Sequence, residues 1–185
     1  MPLVEGVLRS ARTTLAAIDL LAVGIGPGSF TGTRVGVATA KGLALGASRP
    51  LRGVHAFDAL AVDAGAKTGD EVTVAIDARK GEVYLAVVRI DATNVQLVTE
   101  PLHVPPSDAL LRLGRKAPGC VVGDGVALIP ELALHALGKI GNRAPRAASV
   151  AALAGARQLA APLDEGDLLE PLYVRPPDIT LPKSP

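Results

Sequence analysis

The apolar pattern changes period several times along the chain, and each change marks an element. Leu3, Val4, Val7, Leu8 and Ala11 recur at helical spacing and predict an amphipathic helix ending near Thr13-Thr14. Leu20-Leu21-Ala22-Val23 is a short apolar run of the kind that forms a buried strand. The stretch Gly24 to Gly32 then packs glycines and Pro27 too densely for any regular element, and Thr33 to Ala47 resumes as a helix. A hydroxyl from Ser29, Thr31 or Thr33 can cap that helix. Leu51–Val54 reads as a strand, and Phe57, Leu60, Ala61 and Ala64 as a second amphipathic helix that begins just after His55. Val72–Ile76 and Glu82–Arg89 predict a hairpin through Asp77-Ala78-Arg79-Lys80-Gly81. Gly81 supplies a positive φ there, and Asp77 hydrogen-bonds within the turn. Val95–Val98 adds a strand, Pro105-Pro106 opens a helix with Ser107 as N-cap, and Gly119–Val122 is a buried strand ending in Gly123-Asp124-Gly125. Residues Ile129–Leu137 and Ser149–Ala161 are predicted helices, the second capped by Ser149, and Leu168–Pro185 is an irregular proline-rich tail.

The helix after the glycine turn carries small residues where soluble helices usually carry leucine. Gly32, Gly36, Ala40 and Ala44 recur every four residues, as do Ala38, Gly42 and Gly46. Each interior glycine costs about 1 kcal/mol against alanine, so the spacing implies that another backbone approaches closely, inside the fold or in a partner. The polar, Gly-containing stretch Gly65–Asp70 is the expected boundary between an N-terminal lobe (1–66) and a second lobe (67–163), followed by the tail (164–185).

Composition narrows the function classes. Half of the 185 residues are hydrophobic, but Trp is absent and only Phe30, Phe57, Tyr84 and Tyr173 are aromatic. The formal charge is +1 without a Lys/Arg block, so the chain lacks the basic stripe and stacking aromatics of an extended RNA-binding surface. Cys120 is the single cysteine, which excludes an intrachain disulfide and sets a reducing cytoplasm as the expectation. No signal peptide or membrane span is expected, and the three histidines are too scattered for a metal site.

Three places could carry chemistry. The turn Gly26, Gly28, Ser29, Thr31 leads into a helix N-terminus, where exposed N–H groups attract anions. It is not a Walker loop, and Ser29 stands where the third glycine of GxGxxG would be, so a structural turn is the bland reading and a nucleotide contact the alternative. Ser29 as a nucleophile would need glycines where Pro27 and Thr31 stand, and a cap is the simpler role. The hairpin residues Asp77, Arg79, Lys80 and Glu82 read as a solvated charged tip, with a docking surface as the alternative.

The run Gly24 to Gly46 (GIGPGSFTGTRVGVATAKGLALG) resembles the signature of the TsaB (YeaZ) family, as do Ala75–Tyr84 and Pro171–Pro177 in the same order. The resemblance covers essentially the whole chain. It implies an α/β, actin/Hsp70/sugar-kinase-like (ASKHA) two-lobed fold, here with a truncated N-terminal lobe that lacks the family's first strands and leaves a raw sheet edge. It also implies a non-catalytic subunit that binds and activates TsaD for N6-threonylcarbamoylation of adenosine 37 in ANN-reading tRNAs. Expected partners are TsaD in a heterodimer, TsaE, and tRNA through the complex, with homodimerisation when alone. No intrinsic cofactor is implied, and the complex interface is a place open to ATP or ADP. In the family the first two helices form a bundle with TsaD, which maps the expected contacts onto Leu3, Val7, Leu8, Arg34, Val37, Ala38, Lys41 and Leu45. Gly32, Gly36 and Ala40 would allow close approach. A standalone ASKHA-type enzyme, a peptidase-like protein and a homodimeric interaction module are the rival expectations.

Overall fold

The computed structural model describes residues 2–92, 94–114, 120–133, 144–160, 164–166 and 168–175. Helix α1 (Pro2–Ser10) opens the chain and buries none of its residues. Strand β1 (Leu21–Gly24) pairs in parallel with β2 (Leu51–Val54), Leu21 opposite Leu51, and helix α2 (Phe30–Ala47) is the crossover between them. Strand alternation divides the apolar residues. Leu21, Val23 and Ile25 pack with Val37, Ala40 and Ala44 of α2, while Leu20, Ala22 and Val54 face the main core. Among the described residues β1 pairs only with β2.

Strand β2 is buried along its whole length, Arg52 included. That charge is compensated by Glu165 Oε1 at 3.2 Å and Gln158 Oε1 at 2.9 Å. Residues 164–166 and 168–175 of the expected irregular tail form a strap across this sheet. Asp164 accepts the Leu51 N–H at 3.1 Å, Glu165 accepts the Gly53 N–H at 2.8 Å, Leu169 is buried, and the Leu172 N–H donates to the Ile25 carbonyl at 2.7 Å.

The second sheet is built on the hairpin of β3 (Glu71–Arg79) and β4 (Glu82–Ile90), with Ile76 opposite Tyr84. The turn is tighter than the five residues expected. Lys80 (φ 55°) and Gly81 (φ 76°) form a two-residue turn with both central residues left-handed, and a register shift between Asp77 and Arg79 adds a bulge. The bond expected from Asp77 is present, its Oδ1 accepting the Arg79 N–H at 2.7 Å. β5 (Val95–Leu97) and β6 (Leu102–Val104) follow one another along the far edge of β4. β6 escapes pattern reading because it is three residues between Pro101 and Pro105. α4 (Ala109–Leu113) follows a 3-10 turn, and Ser107 does not cap it; its hydroxyl donates instead to Asp108 at 3.0 Å. β7 (Cys120–Val122) lies parallel to β3 on the other side. Beyond it, Gly123 and Gly125 press against the β3 backbone, where a Cβ on Gly123 (φ +105°) would collide with the Ala75 carbonyl. α5 covers Pro130–Ala133. Gly119, residues 134–137 of the predicted helix, Ala161 and residues 176–185 lie outside the described residues.

Helix α3 (Ala56–Asp63) is not the amphipathic helix that the pattern suggests. Ala56 through Ala61 are all buried, because α3 lies between the second sheet and helix α6 (Ala147–Ala160). Two α3 carboxylates fasten α6. Asp58 accepts from Arg157 Nη2 at 2.6 Å, and Arg157 Nε also donates to Asn94 at 2.7 Å. Asp63 accepts the Arg146 backbone N–H and Nε, each at 2.8 Å, and the Ser149 hydroxyl. Ser149 therefore sits inside the first turn of α6 as a tertiary donor rather than as its cap.

Burial alone would raise the Asp63 pKa, but the bonds from Ser149 and Arg146 outweigh it and hold the carboxyl below its ordinary value. The sign follows directly. A depressed carboxylate stabilises the fold above its unfolded pKa of about 3.9, and that contribution is lost as the pH falls through its lower folded value. Asp63→Asn should accordingly flatten the acid limb of a stability–pH curve measured by urea titration. An unchanged limb would show that the Asp63 bonds carry no proton linkage.

Candidate functional site

Two surfaces stand out. The first is the outward side of α2. Successive positions four apart advance by about 40° around a helix with 3.6 residues per turn. The ridge Gly32-Gly36-Ala40-Ala44 therefore drifts inward, and Ala40 and Ala44 end in the core with Val37. This corrects the expectation for Val37 and Ala40: both serve the packing of α2 on β1 and β2, not an outer contact. The second ridge, Ala38-Gly42-Gly46, stays outward, and a Cβ built on Gly36, Gly42 or Gly46 meets nothing within 4 Å. Exposed apolar side chains accompany the open ridge, Val35 at 59% and Leu45 at 84%, and α1 separately exposes Leu3 at 87% and Val7 at 68%. Arg34 and Ala38 are exposed on the same helix, while Leu8, Gly36 and Lys41 are half-buried.

The second surface is a cavity of about 880 Å³ between the glycine turn, the hairpin and the strap. It gathers Gly26, Gly28 and Ser29 with Asp77 and Arg79, residues that sequence reading treated separately. Thr31 is exposed on α2 and does not line it, and neither do Lys80 and Glu82. The Gly26–Pro27 peptide bond is cis. Ser29 does cap α2, its Oγ accepting the Gly32 N–H at 3.2 Å, as expected for the structural role. Among the described residues no hydrogen bond joins Ser29 to a histidine or a carboxylate. Asp77 has both carboxylate oxygens on Arg79, and its own N–H is accepted by Asp124 at 3.0 Å. At the far end Glu82 accepts from His103 Nε2 at 2.9 Å and pairs with Arg175 Nη1 at 3.2 Å. Asp77 is thus paired with Arg79 and Arg175 with Glu82, while Asp124 is engaged by a backbone N–H.

Sequence reading missed Tyr84, Asp124, Tyr173 and Arg175, which also line this space. Asp124 had a signal in its two flanking glycines. Tyr173 and Arg175 lay in a conspicuous stretch but are placed by the strap, which no local rule predicts.

The family model described as TsaD: tRNA N6-adenosine threonylcarbamoyltransferase matches residues 1–127. A crystal structure of a Pseudomonas aeruginosa protein described as similar to peptidase YeaZ superposes with a TM-score of 0.77 at 28% identity, covering 94% of this chain and 82% of that one. The Escherichia coli (strain K12) tRNA threonylcarbamoyladenosine biosynthesis protein TsaB is 46% identical over 96 residues, 51% of this chain and 42% of that protein. The chain belongs to the TsaB (YeaZ) family. A second solved structure, YeaZ from P. aeruginosa, gives a TM-score of 0.75 at 26% identity, covering 93% of this chain and 82% of that one. An uncharacterised Mycobacterium tuberculosis (strain H37Rv) protein is 34% identical over 96% of this chain and 74% of its own length. The chain spans less than half the length of the curated TsaB relatives of E. coli and Haemophilus influenzae that it matches, 42% and 38% respectively. The likeness to YeaZ carries the fold class, α/β of the ASKHA type. Among the described residues no helix is long and apolar enough to cross a membrane.

Proposed function

We propose that this chain is the non-catalytic TsaB-type subunit of a tRNA threonylcarbamoyladenosine machinery. It binds a TsaD-type transferase as a heterodimer and activates it toward adenosine 37 of ANN-reading tRNAs. TsaE and tRNA join through that complex, and ATP or ADP binds at its interface rather than in this chain. The observation that carries the reading is the outward side of α2. Leucine and valine stand exposed there beside glycines with free space above them, which suits the close approach of a second helix. The cavity supports it from the other side, since Ser29 is spent as a cap and Asp77 on its own turn.

The test is reconstitution. Gel filtration of the purified chain with TsaD should give a heterodimer, and modified nucleoside should form only when both are present with TsaE and substrate. Failure to bind TsaD would overturn the reading. Turnover by the chain alone, lost in Ser29→Ala or Asp77→Ala, would replace it with the enzyme alternative. Light scattering of the chain alone reads out self-association through the same face.

A further inference from the structure

The strap and α2 meet at one cluster. Phe30 and Arg34 lie one turn apart on α2, and the Arg34 guanidinium carbon sits 4.1 Å from the Phe30 ring centroid. The Tyr173 ring centroid lies 5.3 Å from the same carbon, and Arg34 Nε donates to the Tyr173 hydroxyl at 2.6 Å. The two rings are themselves in contact, with centroids 5.7 Å apart. Tyr173 is held from both directions, by the Leu172 N–H on the Ile25 carbonyl and by Arg175 on Glu82. An exposed arginine ordinarily samples many rotamers, but this one is gripped by a segment 139 residues away in sequence. Among the described residues its hydrogen bonding is confined to Nε. Among the described residues no carboxylate lies within ion-pair distance of it, and the Nη groups carry no hydrogen bond. Helix α2 contains Arg34 and Lys41 and no acidic residue at all.

We propose that Tyr173 is a positioning residue for the docking face: it holds Arg34 so that the Nη groups meet a carboxylate on the partner's helix. The face would then take an apolar helix carrying an Asp or Glu opposite Arg34. A fixed fork matches a carboxylate in one orientation only, which sets the register of the two helices as well as adding attraction. This inference rests on the reading that the chain binds a TsaD-type partner.

The experiment combines binding with a signal from the arginine itself. The Arg34 Nε–H resonance of the 15N-labelled full chain should be slow to exchange in the wild type and averaged in Tyr173→Leu. Affinity for TsaD should fall about tenfold or more in Arg34→Gln, with loss of part of its salt dependence. It should fall several-fold in Tyr173→Phe, which keeps the ring and removes the acceptor, and Arg34→Lys should not restore it. Arg34→Glu should be rescued by a Glu→Lys or Asp→Lys change at the facing position of the partner. Wild-type affinity in Arg34→Gln, or in Tyr173→Leu with a released Arg34 signal, overturns this inference and leaves the functional reading standing. A wild-type chain that does not bind TsaD overturns both.

Discussion

Gly42→Leu should abolish the complex with TsaD while leaving the isolated chain at least as stable as before. Residue 42 is mid-helix, its α-carbon faces open space, and a leucine there meets nothing of its own chain. Removing an interior glycine from a helix contributes about 0.5–1 kcal/mol of stability. The same leucine fills the space that an incoming backbone needs, and overpacking of that kind costs far more than the helix gains. Binding should weaken at least about 100-fold, some 2.7 kcal/mol, as read by calorimetric titration, and the thermal midpoint should hold or rise. Gly36→Leu should follow more weakly, because Gly36 is already turning toward the core. Retained binding by Gly42→Leu would remove the α2 face from the interface. A chain that fails to fold would show that the space above Gly42 is not free.

Arg157→Ala should be the most damaging single change to the fold itself. Asp58 is only 2% exposed, and its Oδ1 has no hydrogen-bond partner among the described residues. Burial raises its pKa even though Arg157 and, less strongly, His55 act to lower it. Removing the guanidinium leaves a buried carboxylate without compensation, a defect of about 3–5 kcal/mol near neutral pH. A raised carboxyl pKa means that the folded state takes up a proton more readily than the unfolded state. The associated stability is present below the unfolded pKa and is lost as the pH rises through the folded value. The penalty of Arg157→Ala should therefore shrink as the solution is acidified toward the ordinary carboxylate range. Urea titrations of both proteins at several pH values check this. A penalty independent of pH would mean that Arg157 acts by packing alone. Asp58→Leu/Arg157→Leu should recover most of the loss, since no buried charge then remains.

Local rules were sufficient where the determinant is local. The turn before α2, its Ser29 cap and the Asp77–Gly81 hairpin are written in glycine, proline and short polar side chains acting within a few residues. The family was equally legible, since its marks lie in contiguous stretches. What was not legible depends on partners far along the chain. Nothing near Asp58 announces that Arg157 will neutralise it, and an amphipathic pattern gives no sign that every position from Ala56 to Ala61 is buried. Ala40 turns inward for a geometric reason: a four-residue repeat is not a straight line on a helix of 3.6 residues per turn. The cavity was seen only as two separate turns, because the strap that closes it carries no periodic pattern.

One continuous core joins Val54 of the small sheet to Val72 and Val88 of the large one through α3 and α6. Opening the space between the glycine turn and the hairpin would shear that core and break the carboxylate anchors of α3 at the same time. Among the described residues, clamping on a guest there would therefore cost core packing together with the Asp58–Arg157 and Asp63–Arg146 pairs.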